Sequence, residues 1–232
     1  MSKSTDLYFK NRIQNLGEGS VRGQLGIREF LTIKNLLDWF FQDRKIINNI
    51  KVLDLGCGDR FIQGAFESEG NDYTGIDFAE CNLETESMPF ANDNFDLVLC
   101  LALLEHLENP RMMLEEIQRI LKPGGVVIMT TPNINQCGNR FWDDPTHVRP
   151  YNPSAVRTLM SMHGYENIIV TPNLRCKHRL FYGQTKWHFY AAKYLFLLRG
   201  FSEKPITKYL RGKSTGLYVL CQKPGMPPFG GP

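Results

Sequence analysis

Residues Val52-Leu53-Asp54-Leu55-Gly56-Cys57-Gly58-Asp59 carry an apolar run into a turn with two glycines, and Asp77 closes the next apolar run in Thr74-Gly75-Ile76-Asp77. A strand, a glycine turn, a helix and a second strand ending in an acid place a nucleotide-like ligand at the carboxyl edge of a parallel sheet. The carboxylate would then sit on the ribose hydroxyls. Gly56 and Gly58 let the backbone approach the ligand where a Cβ would intrude. A dinucleotide fingerprint would carry a further glycine at position 61, but Phe61 stands there, so NAD and FAD are not expected.

A second set of residues can move protons. Glu105 and His106 come directly after an apolar run at 95–100, and His147 lies in Asp144-Pro145-Thr146-His147-Val148-Arg149-Pro150-Tyr151, after the next run. In a parallel sheet both segments leave by the edge that carries the glycine turn, so the three side chains can converge on one cleft. Histidine suits proton removal near neutral pH. His106, His147 and Glu105 are therefore the candidate catalytic residues. The same spacing also fits a structural role, with Glu105 and His106 bracing the turn and only lining the pocket.

These residues need a scaffold. Apolar periodicity predicts strands at 51–55, 72–76, 95–100, 125–131, 165–171 and 216–222. Phe30, Ile33, Leu36, Leu37 and Phe40 share a helical face within residues 27–47, an accessory helix before the sheet. A helix from Pro110 to Leu121 is expected with Asn109 as N-cap and Lys122-Pro123-Gly124 as its stop. Another, Pro153 to Met162, follows Asn152. Alternating strands and helices imply a doubly wound, mostly parallel α/β sheet.

The glycine turn resembles motif I of the class I S-adenosylmethionine-dependent methyltransferases, and the resemblance continues downstream. Ser87-Met88-Pro89-Phe90 with Asn94-Phe95-Asp96-Leu97-Val98 is similar to the family's "LPF…FDLV" segment. Leu104-Glu105-His106-Leu107, Leu121-Lys122-Pro123-Gly124-Gly125 and Thr131-Pro132-Asn133 resemble the type 11/23 subgroup. Five ordered segments over roughly residues 50–170 carry the likeness. It implies a Rossmann-like fold with an antiparallel last strand, and S-adenosylmethionine as cofactor with S-adenosylhomocysteine as product. The implied cofactor residues are Asp54, Gly56, Cys57, Gly58, Asp77, Phe78, Glu84 and Leu101. Asp54 is expected to hold the glycine loop through backbone N–H groups, and Glu84 to meet the adenine amino group in competition with Glu86. The family's third glycine is Arg60 here, a side chain expected to point outward. Glu105, His106 and His147 also partly resemble the metal-binding set of small-RNA 2′-O-methyltransferases. Ala102 replaces a glutamate of that set, and no metal is assigned.

A chain of 232 residues suits one α/β domain, here 1–223, with an accessory segment at 1–47 and an insert at 173–214. Seven of the nine residues from Pro224 to Pro232 are Pro or Gly, which reads as a disordered tail. Net charge is only +3, too small by itself to imply nucleic-acid binding. Six scattered cysteines without a CxxC pair read as reduced thiols in a cytoplasmic protein, and the polar first residues lack a signal peptide. From Arg175 to Lys213 ten Lys/Arg face one acid, Glu203, and Trp187 to Leu198 reads as an apolar helix. This insert could meet an anionic glycan or lipid-linked acceptor, touch a membrane surface, bind RNA, or be a solvated face around a core helix. The reading adopted is an O-directed methyltransferase acting on a small-molecule, glycan or lipid-linked acceptor. Its alternatives are an RNA 2′-O-methyltransferase and a S-adenosylmethionine-binding regulator without catalysis.

Overall fold

The computed structural model describes residues 20–41, 48–173 and 215–225. The basic insert, its helix from Trp187 to Leu198, Cys176, residues 1–19 and most of the Pro/Gly-rich tail lie outside the described residues.

Alternation of apolar side chains explains the three layers. Strands β1 (Lys51–Leu55), β2 (Asp72–Ile76), β3 (Phe95–Leu101), β4 (Leu121–Pro132), β5 (Glu166–Pro172) and β6 (Gly216–Gln222) form one sheet in the order β2-β1-β3-β4-β6-β5. Val98, Cys100, Val127, Met129, Val219 and Cys221 face one core. Their neighbours Leu97, Leu99, Val126, Ile128, Tyr218 and Leu220 face the other. Every second residue goes the same way, and both faces are apolar, so each needs a helical cover.

Helix α1 (Ser20–Phe40) covers the second face with Phe30, Ile33, Leu36 and Leu37, joined by Phe66 of α2 (Gln63–Glu67). Phe30 meets Phe66 edge-on at 4.8 Å. The opposite face takes Met113, Leu114, Ile117 and Ile120 of α3 (Arg111–Ile120), then Val156 and Met160 of α5 (Pro153–Met162). The short α4 (Ile134–Cys137) lies between β4 and α5.

Strands β1 to β4 are mutually parallel, and β6 pairs antiparallel with both β4 and β5. The chain steps outward from β1 to β2 and then returns past β1 to β3. That reversal opens a crevice at the carboxyl ends of β1 and β3, where ligands bind in such sheets.

The sequence expectations for strands hold within a residue or two, except that β4 begins at Leu121, which pairs with Phe95 across a bulge. The accessory helix is displaced: it spans Ser20–Phe40, where periodicity placed it at 27–47. For α3, Pro110 occupies the N-cap position, with Asn109 one step further out. The Arg111 N–H still donates to Asn109 Oδ1 at 3.2 Å, so the side-chain cap acts from one residue back. In α5 the expectation holds, the Ala155 N–H donating to Asn152 Oδ1 at 2.8 Å.

Helix α1 sits close against α2 because Gly26 has no side chain: a Cβ there would overlap the Phe61 carbonyl. Gly26→Ala is expected to lower stability by about 1–3 kcal/mol, the usual range for overpacking. Urea unfolding of the variant checks this.

Candidate active site

The glycine turn leaves β1 through Gly56 (φ +70°) and Gly58 (φ +52°), conformations that L side chains avoid. The Gly56 N–H donates to the Ile76 carbonyl at 2.9 Å, and the Cys57 N–H shares that acceptor at 3.3 Å. The Asp77 carboxylate then ties the turn to β2. Oδ2 accepts from the Gly58 N–H at 3.2 Å and Oδ1 from the Phe78 N–H at 2.7 Å. An ionised carboxylate offers about four acceptor positions. Two remain on this half-exposed group for a diol.

Arg60, where the resembled family has glycine, also adopts a positive φ of +56°. The backbone therefore follows the path a glycine would take. The side chain is exposed, in line with the outward position expected from sequence. It turns back over the end of β2, its Nη2 donating to the Gly75 carbonyl at 3.1 Å and lying 3.6 Å from Glu80 Oε1. Glu80 Oε2 in turn accepts from the Asp77 N–H at 2.9 Å. These contacts offset the cost of a left-handed arginine, on the order of 1–3 kcal/mol.

One expectation changes. Asp54, 2% exposed, does not hold the loop N–H groups; its Oδ2 accepts from the Tyr73 hydroxyl at 2.6 Å. Strand alternation turns it into the sheet face rather than toward the turn. Burial pushes its carboxyl from 3.8 up to about 7, against the pull of the Tyr73 bond. Glu84 Oε1 accepts from the Asn109 N–H at 2.7 Å, bracing the segment after β2 against the start of α3. Glu86 accepts from the Asn82 N–H at 2.8 Å. Phe78 and Leu101 are half-buried, at the ends of β2 and β3. Leu103, two residues beyond Leu101, fills the space where a Cβ on Gly56 would sit.

The three residues expected to handle protons do come together. At the end of β3, Ala102 turns the chain with φ +54°, its N–H donating to the Thr130 hydroxyl at 2.9 Å. The turn leads into a 3₁₀ helix, Leu104–His106. The Glu105 carbonyl then accepts from the Val148 and Arg149 N–H groups at 2.9 and 3.1 Å, which draws the segment after β4 across. The His106 and His147 rings stand 4.8 Å apart, and ligand-type atoms of Glu105, His106 and His147 all lie within 4.8 Å of one another. Ala102 adds no fourth donor.

Donor logic settles the neutral tautomers. His147 Nδ1 lies 2.7 Å from the Phe141 carbonyl and His106 Nδ1 lies 3.1 Å from the Thr146 carbonyl. Carbonyls only accept, so both Nδ1 atoms carry the proton and both Nε2 atoms carry a lone pair. Glu105 is 2% exposed, and its Oε2 meets no hydrogen-bond partner at bonding distance among the described residues. Burial raises this carboxyl from 4.5 to about 7. Sequence reasoning missed Asp144 and Thr146. Thr146 donates its hydroxyl to Asp144 Oδ1 at 2.6 Å, and its Oγ1 lies 2.9 Å from His106 Nδ1. The Asp-Pro-Thr turn chemistry was the available signal.

A glycine turn bound to a strand-end acid, at the switch point of a Rossmann-like sheet, defines an adenosine-type cofactor domain with a cluster of one glutamate and two histidines beside it. A family profile described as a methyltransferase domain, of type 23, matches residues 28–170. The chain belongs to this family of class I, S-adenosylmethionine-dependent methyltransferases. Among solved structures, it resembles a SAM-dependent methyltransferase from Archaeoglobus fulgidus at 16% identity and a TM-score of 0.60, over 93% of this chain and 99% of that one. A possible histamine N-methyltransferase from Thermotoga maritima matches at 14% identity and a TM-score of 0.51, over 85% and 91%. Curated relatives match less of the chain. The ubiquinone biosynthesis O-methyltransferase of Erwinia tasmaniensis is 30% identical over 43% of this chain and 49% of its own length. That of Pseudomonas aeruginosa is 33% identical over 37% and 45%. The chain thus spans about half the length of these relatives.

The residues present fit the cofactor. Space is open where a Cβ on Gly58 would be, and Asp77 keeps two acceptor positions. Asp77→Ala should weaken binding of S-adenosylmethionine and S-adenosylhomocysteine about 10- to 100-fold, as expected for a charge-assisted hydrogen bond. Calorimetry on a variant with an unchanged thermal melt checks this.

The buried acids make stability depend on pH. With Asp54 and Glu105 near 7 in the folded chain against 3.8 and 4.5 ordinarily, the folded state keeps protons that the unfolded state has released. Stability therefore falls as pH rises from about 4 to about 7 and levels off above. Asp54→Asn should flatten that slope in thermal melts across the window.

Proposed function

We propose that the protein transfers the methyl group of S-adenosylmethionine to a hydroxyl oxygen of a small-molecule, glycan or lipid-linked acceptor. The observation that carries this reading is the pair of neighbouring imidazoles, each with its Nδ1–H held by a backbone carbonyl, which makes Nε2 the basic atom of the neutral ring.

S-adenosylmethionine supplies a methyl group on a sulfonium, and the carbon–sulfur bonding pair leaves with sulfur. The chain's own residues align the acceptor, exclude water and take the hydroxyl proton on a histidine Nε2. Alignment alone can supply much of the acceleration, and a general base adds about 10²–10⁴-fold. Burial raises the Glu105 carboxyl to about 7, so it is only partly ionised near neutral pH, and the charge it keeps would favour an imidazolium beside it.

Transfer to oxygen is supported by the names of the curated relatives, O-methyltransferases of ubiquinone biosynthesis. An acceptor with apolar surface is supported by Trp142 and Val148, 55% and 42% exposed beside the histidine segment. The basic insert would serve an anionic part of the same acceptor or a membrane surface. No described helix is long and apolar enough to cross a membrane.

Incubating the protein with methyl-labelled S-adenosylmethionine and fractionated extracts should label a hydroxyl-bearing glycan, lipid or small molecule. His106→Ala combined with His147→Ala should cut kcat by about 10²–10⁴-fold while cofactor affinity stays unchanged. Chelators should leave turnover intact. Chelator-sensitive labelling of RNA with a steep salt dependence would instead select the RNA 2′-O-methyltransferase reading. Tight cofactor binding with no labelled product across acceptor classes would select the regulator.

A further inference from the structure

We propose that Glu116 and Arg119 on α3 are positioning residues for the cofactor, holding in place the wall of the crevice that begins at Asp77. Only the cofactor is involved, whatever acceptor is methylated.

The chain between β2 and β3, residues 77–94, forms neither helix nor strand. Irregular connections of this length usually carry function. This one leaves from the ribose acid at the cofactor edge, and Glu84 Oε1 ties it at 2.7 Å to the Asn109 N–H in the segment after β3. It therefore bounds the crevice on the β2 side. Local turns give it shape. The Glu80 and Cys81 N–H groups return to the Asp77 carbonyl at 2.9 and 3.2 Å, and those of Thr85 and Glu86 to the Asn82 carbonyl at 3.0 and 2.8 Å. Cys81, Leu83 and Met88 are buried in the core that α3 covers. Apolar burial is non-directional, so it does not by itself fix where the turns stand.

Direction comes from α3. Glu116 Oε2 accepts from the Met88 N–H at 2.7 Å, and Arg119 Nη2 donates to the Met88 carbonyl at 3.0 Å. Both main-chain groups of Met88 are thus held by one pair of side chains. Arg119 Nη1 donates to the Phe90 carbonyl at 2.7 Å and to Asn92 Oδ1 at 2.9 Å. Its Nε and Nη2 also donate to the Glu116 carboxylate, at 2.8 and 2.7 Å. These bonds use all five N–H donors of the guanidinium, three of them on the segment. Glu116 is buried, and the Arg119 bonds hold its carboxyl below its ordinary range, so the pair is charged near neutral pH. A fork of this kind fixes geometry as well as adding energy. With β2 at one end and the clamp at Met88 to Asn92 at the other, Asp77 and the turns after it stand between two fixed points. Without the clamp the cofactor would have to order the segment as it binds, and its apparent affinity would fall with the fraction of molecules already in place.

The test measures binding of S-adenosylmethionine and S-adenosylhomocysteine to the full chain by calorimetry, together with hydrogen exchange at the Met88 amide. In the wild type that amide should be protected with or without cofactor. Arg119→Met should weaken both ligands about tenfold and let Met88 exchange in the free protein, with protection restored at saturating cofactor. Arg119→Lys keeps the charge but cannot fill five donor positions, so it should fall between the wild type and Arg119→Met. Met160→Ala supplies the comparison: it opens a cavity under α5, at the other flank of the sheet, and lowers the melting temperature. It should bind both ligands within about twofold of the wild type, as expected for a distant site. The proposal is overturned if Arg119→Met and Arg119→Lys bind both ligands as the wild type does, whatever happens to Met88 exchange. It is overturned equally if Met160→Ala loses affinity in the same proportion to its fall in melting temperature, since the effect would then be general destabilisation. Should Arg119→Met fail to fold, the milder Arg119→Lys is read by the same two criteria.

Discussion

The Glu105 carbonyl is the junction on which the site depends. Two consecutive N–H groups, from Val148 and Arg149, converge on that one oxygen. They hold the segment after β4 against the turn after β3 together with the His106 ring, whose Nδ1 lies 3.1 Å from the Thr146 carbonyl and 2.9 Å from its hydroxyl. Ala102, in a left-handed conformation, aims the carbonyl by turning the chain sharply at the end of β3. A small side chain keeps that turn affordable: β-branched or bulky residues resist positive φ. The second half of the same segment is secured at Tyr151, which bridges to Asn133 and whose carbonyl accepts from the Ile134 N–H at 2.9 Å. The loop is thus closed on itself at its base and pinned near its tip.

Three carboxyl groups lie close to the cofactor edge, and their surroundings give them different work. Asp77 is half-exposed and receives two backbone N–H groups, an environment for a charged acceptor. Asp54 and Glu105 are buried, with burial as the leading cause of their raised proton affinity. A negative charge at either place would be expensive with so few partners. The fold therefore suppresses anionic character at these two buried positions.

Much of this was legible from residue order. The alternation of Leu97, Val98, Leu99 and Cys100 announces a strand buried on both faces, and the spacing from Gly58 to Asp77 announces the cofactor turn. The convergence of Glu105, His106 and His147 also followed from topology alone. What escaped were partners fixed by packing. Nothing local to Asp54 shows that it meets the Tyr73 hydroxyl across the sheet instead of the loop amides. Arg60 could be seen to replace a glycine, but its return over Gly75 depends on Glu80 lying within reach, a tertiary fact. The start of α1 is not legible because Ser20 to Gly26 mixes polar residues and two glycines with only Val21 and Leu25 as apolar side chains.

The position of β6 has a consequence for how the chain is made. This strand lies between β4 and β5, and its Tyr218 hydroxyl donates to Glu29 on α1. Until residues 216–222 leave the ribosome, β4 has a bare edge and β5 has no neighbour in the sheet. A bare, flat, apolar edge invites pairing with other chains. Synthesis therefore passes through a stage in which the cofactor half is already complete and one flank of the sheet is open, so premature termination just before β6 would yield a sticky product with its glycine turn intact. The last strand acts as the keystone of the sheet, and the Glu29 contact makes the earliest described helix one of the elements waiting for it.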